Sequence, residues 1–171
     1  MCIRDSIKPE EITDNVIKLI GKDWMLVTAG RPGDYNTMTA SWGGAGFLWN
    51  KPVVFVFVRP ERHTYGFMER EDVFTLSFFD EKYRKALSLC GTKSGRDTDK
   101  AAETGLTPVE TSNGSIAFSQ ARLVLECRKL YVSDLKSEKF LDKTILEKCY
   151  DSAHGGLHRV YVAEITGVIS E

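Results

Sequence analysis

The sequence has no apolar run near the ~20 residues that cross a bilayer, and it shows no secretory leader. No sign of charge dominates: 23 Lys and Arg against 24 Asp and Glu leave a formal net charge of −1. A global field that would gather nucleic acid or an anionic membrane is thereby excluded, and any anion site has to be built locally. Cysteine is sparse and scattered (Cys2, Cys90, Cys127, Cys149), with no C-x-x-C pair. That removes a disulfide framework and points to free thiols in a cytoplasmic protein. Also missing are a G-x-G-x-x-G after a strand, a G-x-S-x-G elbow and a Walker loop, so no dinucleotide fold, serine-hydrolase turn or P-loop is indicated. What is present is 171 residues, 42% apolar and 27% charged. That is one ordinary globular domain, large enough to bury a core without staples. Residues 1–11, which open with MCIRDS, join no periodic pattern and read as a tail; residues 12–171 read as a single domain.

Along the chain, Asp23–Gly30 reads as a strand closed by a turn at Arg31-Pro32-Gly33-Asp34, with Asn36–Trp42 as its hairpin partner. Gly43-Gly44-Ala45-Gly46 is expected to break that strand. Pro52–Arg59 is a short, continuous apolar run, the pattern of a strand buried on both faces. A helix over Thr64–Arg70, with Thr64 as N-cap, precedes a strand over Val73–Phe79. Glu81–Leu89 has a helical stripe, and Asp97–Thr104 fits a short helix ended by Gly105. Strands at Ser115–Phe118 and Ala121–Tyr131, a helical turn at Ser137–Leu141 and a strand at Arg159–Ile169 complete the chain. The class is mainly β with added helices, and a sheet of this size avoids exposed edges by closing towards a barrel.

Three stretches offer chemistry. Between the helices at Glu81–Leu89 and Asp97–Thr104, Thr92, Lys93, Ser94, Gly95, Arg96 and Lys100 combine a glycine turn, hydroxyls, cations and a helix start. Such donors cradle a phosphate monoester. The same window holds Asp97, Asp99 and Glu103, and a solvated loop with ordinary capping accounts for it equally well. After the buried strand, Arg59 and Arg62 flank a proline turn just before Thr64. They suit a phosphate or carboxylate, or simply surface ion pairs with Glu61 and Glu69. In Asn36-Thr37-Met38-Thr39-Ala40-Ser41-Trp42, alternating polar groups beside an aromatic can address the edge of a flat heterocycle, although Thr and Ser are also good strand residues.

His154-Gly155-Gly156-Leu157-His158, with Cys149 nearby, has a metal-like spacing, but the glycines make it a loop and no paired cysteines complete a ligand set. Cys90 and Cys127 fall within apolar patterns and read as core thiols. Trp24, Tyr35 and Trp49 read as packing residues.

Taken in order, NTMTASW, PVVFVFVRPERHTYGF, FTLSFFDEKYRKALSLCGTKSGRDTDKAAETGLTP, ARLVLECRKLY and HRVYVAEI resemble the flavin reductase family of FMN-binding split barrels, in particular its flavoredoxin-like branch. The resemblance runs from about Asn15 to Ile169 and is densest over Asn36–Pro108. It implies a six-stranded Greek-key split barrel, a homodimer and one FMN per subunit. By resemblance, Asn36, Thr39, Ser41 and Trp42 hold the flavin ring, with Thr37, Met38 and Ala40 between them. Arg59, Arg62, Thr64, Lys93, Ser94, Gly95, Arg96 and Lys100 surround the phosphate, with Lys100 neutralising its charge. His158 reaches the flavin or the partner subunit. Many family members have Asn where this chain has Ser77.

The function implied is an FMN-dependent oxidoreductase of the flavin reductase type. It would pass electrons from a donor such as NAD(P)H through flavin to a small-molecule or protein redox partner, without nucleic acid or membrane. A non-catalytic flavin carrier on the same fold, or a barrel-like interaction domain without cofactor, are the competing readings. No catalytic residue is assigned and no metal is expected.

Overall fold

The computed structural model describes residues 4–171. Ten strands form, in chain order: β1 Asp5–Ile7, β2 Met25–Arg31, β3 Asp34–Ala40, β4 Gly43–Leu48, β5 Lys51–Val58, β6 Val73–Phe78, β7 Pro108–Glu110, β8 Ile116–Phe118, β9 Leu123–Asp134 and β10 Arg159–Ser170. The helices are α1 Val16–Lys18, α2 His63–Arg70, α3 Arg84–Thr92, α4 Lys100–Thr104 and α5 Thr144–Cys149. The main sheet is antiparallel throughout, in the order β3-β2-β6-β9-β10-β5-β4, with β1 pairing to β10 and β7-β8 forming a separate ribbon.

Alternation along each strand decides which face packs inward. Met25, Val27 and Ala29 of β2, Val54, Val56 and Val58 of β5, and Phe74, Leu76 and Phe78 of β6 share one buried cluster with Leu123, Leu125, Cys127, Tyr161 and Ala163 of β9 and β10. The opposite faces of β2 and β9, at Leu26 and Val124, pack under α3 and the β7-β8 ribbon against Leu87, Cys90, Leu106 and Phe118. The sheet thus curls around one core and is covered outside by a second. Six strands (β2, β3, β5, β6, β9 and β10) supply buried residues to the inner cluster, and β1 and β4 extend the same sheet to eight strands.

Several expectations change. Residues 5–11, read as a tail, hold regular structure: Asp5–Ile7 pairs with Val168–Ser170, and Pro9–Glu11 forms a helical turn. Residues 1–3 lie outside the described part. The hairpin partner does end before Gly43, at Ala40, but Gly43–Gly46 is no loop and opens a new strand, β4, paired with β5. Gly43 permits this because its φ is 152° and a Cβ there would meet the Phe55 carbonyl oxygen at 2.7 Å. α4 starts at Lys100 rather than Asp97, because the Asp99 carboxylate caps it by accepting from the Ala102 N–H at 3.1 Å. The strand expected from Asp23, β2, starts at Met25, after a π-helical turn over Leu19–Asp23. Trp49 is 53% exposed and not a core packing residue. Among the described residues no helix is long and apolar enough to cross a membrane.

Candidate functional site

Two clefts meet at Arg62, and between them they are lined by every candidate site residue from the sequence except Thr37. The first, of about 190 Å³, is bounded by Met38, Thr39, Ala40, Ser41 and Trp42, together with Phe57, Arg59, Arg62 and His158. The second, also about 190 Å³, takes Asn36, Arg62, Thr64, Lys93, Ser94, Gly95, Arg96 and Lys100, plus Glu61 and His63. Thr37 lines the contiguous groove behind Gly95 and Lys100. Thr64 and Ser94, far apart in sequence, therefore face one hollow.

The strand side of the site works through its backbone. β3 ends the sheet and pairs only with β2, so its other edge is open. Most of its polar side chains are spent on the scaffold. The Thr37 hydroxyl meets that of Thr28 at 2.8 Å, the Thr39 hydroxyl donates to the Leu87 carbonyl, and the Asn36 amide donates to Thr64 Oγ1 at 2.8 Å. What this strand offers a ligand is the backbone N–H and C=O groups of its open edge, apart from the Thr37 carbonyl that Lys100 takes, and a planar heterocycle's edge can pair with them. Met38 is turned into the barrel core and reaches the cleft only as lining.

At the aromatic end, Trp42 lies 5.4 Å from the His158 ring at 56° and stays 47% exposed, whereas His158 is 7% exposed. His158 Nδ1 shares a 2.6 Å hydrogen bond with the Tyr150 hydroxyl. Burial, reinforced by the Arg59 guanidinium and opposed by Glu61, pushes the imidazole pKa down to about 4. The ring is therefore neutral at pH 7. Tyr150 and Phe57 are site residues that sequence reasoning missed; only the fold brings residues so far from the first motif to its edge.

The cationic end divides into bound and free charges. Arg59 donates to the carbonyls of Cys149 and Gly156, each at 2.9 Å, and stacks over Tyr150 at 4.9 Å. Lys100, 6% exposed, donates to the carbonyls of Thr37 and Cys90 at 2.6 and 2.9 Å. Its ammonium is thus first a tie between β3 and α3, with one N–H left over, which revises the expectation of a simple phosphate counter-charge. Burial lowers its pKa to about 8. Arg62, by contrast, has no side-chain hydrogen bond or ion pair among the described residues, is half-buried, and has its pKa lowered by burial and then by Arg59. His63 is likewise held down by burial, then by Arg96 and Lys100. Arg59 thus repels Arg62, and Arg96 and Lys100 oppose protonation of His63, in a hollow whose lining includes the Glu61 carboxylate.

Two backbone features complete the hollow. Thr64 is not the cap of α2: Arg62 is the capping residue, no side chain satisfies the helix start, and no acidic residue occupies its first turn. Gly95 passes so close to Asn36 that a Cβ would overlap the amide oxygen. Ser77 is fully buried, lines neither cleft, and its hydroxyl has no partner among the described residues, so it takes no part in the site. The histidines of the 154–158 loop do not converge: His154 turns to Asp151 and His158 to Tyr150.

A barrel left open between its end strands, with a polar and cationic cleft along one of them, defines an FMN-binding split barrel, the fold of its structural neighbours. The chain belongs to the flavin reductase like domain family, whose match spans residues 18–170. Flavoredoxin of Desulfovibrio vulgaris (Miyazaki F) superposes with a TM-score of 0.66 at 23% identity, over 86% of this chain and 69% of that one. Flavoredoxin from Methanosarcina acetivorans gives 0.67 at 21%, over 87% and 68%. The FMN-binding domain of a flavin reductases-like enzyme from Shewanella baltica OS155 gives 0.70 at 17%, over 98% and 77%. At these identities the likeness establishes the fold. No curated protein matches the chain.

Proposed function

We propose that the joined clefts bind FMN and that the protein is an FMN-dependent oxidoreductase of the flavin reductase type. The observation that carries this reading is Arg62, a half-buried guanidinium without a side-chain partner among the described residues, lining both clefts where they meet. A ligand with a planar, hydrogen-bonding head and an anionic tail satisfies both halves at once. The residues fit that ligand: Gly95 lets its loop close onto Asn36 where a Cβ would not fit, the start of α2 offers uncapped N–H groups, and the open edge of β3 offers backbone donors and acceptors. Arg62, Arg96 and the spare N–H of Lys100 would hold the phosphate, with Lys93 and the hydroxyls of Ser94 and Thr64 around it. Trp42 and the neutral His158 would bound the ring. Bound FMN supplies two-electron redox chemistry between a donor such as NAD(P)H and an acceptor. The chain's part is to orient the ring along β3, to neutralise the phosphate and to present uncharged donors at the aromatic end.

The test is titration of the apoprotein with FMN and with riboflavin, which lacks the phosphate. A charge-assisted bond of about 1.5–3 kcal/mol predicts that Arg62→Ala weakens FMN binding roughly 10- to 100-fold and changes riboflavin binding less than about twofold. Equal losses for both flavins would contradict the cradle. Bleaching of the flavin band by NAD(P)H separates the enzyme from a carrier.

A homodimer belongs to the same proposal. The exposed rings of Trp49 (53%) and Tyr131 (53%) lie 6.2 Å apart, and Phe47 (72% exposed) stands on β4, the end strand of the sheet. Exposed apolar surface of this kind is what a second copy covers. The unpaired thiols of Cys90, Cys127 and Cys149 accord with a reducing, cytoplasmic setting.

A further inference from the structure

Beside the flavin cleft lies another cavity, of about 320 Å³. Of the candidate flavin-site residues Trp42 alone is in its walls, and Trp42 and Phe57 wall both hollows. The remaining walls come from the segment between β9 and β10: Leu135, Phe140, Ile145 and Tyr150, with Cys149 behind. Phe140 and Tyr150 meet edge to face at 5.8 Å and 62°.

The chemistry of this lining is one-sided. Among the described residues no charged side chain enters it. The polar groups nearest to it are already occupied: the Tyr150 hydroxyl by His158, and the Arg59 guanidinium by two carbonyls of the same segment. A charged ligand entering it would lose its hydration and find no replacement. A flat apolar ring would lose nothing and would gain edge and face contacts with four aromatic rings. Trp42 and Ile145 remain 47% and 41% exposed, apolar surface that such a ligand would cover. The size admits one or two fused rings, at the small end of ligand pockets.

We propose that this cavity is a binding site for a neutral, flat, one- or two-ring aromatic compound, held against Trp42 next to the flavin cleft. The site goes beyond the flavin reading and does not need it, since all its walls belong to the chain itself. It is tested by calorimetric titration at pH 7 with 2-naphthol and with naphthalene-2-sulfonate, which share two rings and differ in charge. Apoprotein and FMN-treated protein are both titrated. The neutral compound is expected to bind at least 10-fold more tightly. Ile145→Asp is expected to lower its affinity at least 10-fold, Ile145→Leu to preserve it, and FMN titration of both variants to stay unchanged, which also reports an intact fold. Equal affinity for the two compounds would overturn the proposal. So would an Ile145→Asp protein that binds 2-naphthol normally but becomes smaller by sedimentation, because the face would then be covered by a second copy. Binding of 2-naphthol without FMN binding would defeat the flavin reading and leave this one standing.

Discussion

The residues of the cleft differ in how much of their bonding capacity is already used. Lys100 and Arg59 look alike in sequence to Arg62 and Arg96, yet the first two are tied to backbone carbonyls and Arg62 has no tie. Sequence spacing locates a cation; it does not say whether the fold consumes it. His158 makes the same point for protons. Its pKa in the fold is about 4, below the ordinary histidine value of 6.5. The unfolded chain therefore takes up the proton first, and stability falls as pH drops from 6.5 towards 4. A shift of that size corresponds to about 3 kcal/mol. His158→Gln, which keeps a hydrogen-bonding side chain and removes the titration, is expected to lose about that much less than the parent in urea unfolding across this interval. Identical acid profiles would remove the buried imidazole as the cause.

At the scale of elements, the strands were the most legible part. Two-residue alternation in β2, β6 and β9 reflects a sheet with a core on each face, and burial enforces it residue by residue. The hollow around Gly95 was legible too, because Ser94, Gly95 and Arg96 are contiguous. Less legible was the segment from Leu135 to His158, whose placement depends on contacts about 90 residues away in sequence. Arg59 holds Cys149 and Gly156 there, and the Glu61 carboxylate accepts from the Gly156 N–H at 2.7 Å. β4 was not legible because four residues with three glycines ordinarily signal a loop; here the close approach of the Phe55 backbone selects glycine within a strand. Arg59→Ala is expected to release this latch. Amide exchange in residues 149–157 should speed up at least 10-fold, with β2, β6 and β9 unchanged. Uniform acceleration would mean global destabilisation instead.

For the whole molecule, length and composition pointed to a single domain, and the family match covers residues 18–170. Association was not legible, because scattered aromatics on a surface reveal their neighbours only after folding. Phe47→Asp places a charge on the exposed face beside β4 and is expected to convert a sedimenting dimer to monomer while leaving FMN affinity per chain within about threefold. A parent protein that sediments as a monomer at micromolar concentration would dispose of the dimer.

β3 and β4 stand at opposite ends of the main sheet, yet only Ser41 and Trp42 separate them in sequence. The seam of the barrel is therefore bridged by a covalent strap two residues long, and the indole hangs from it between two hollows. Any gaping of the seam must swing that indole, so a guest wedged on one side sets how tightly the other side can close.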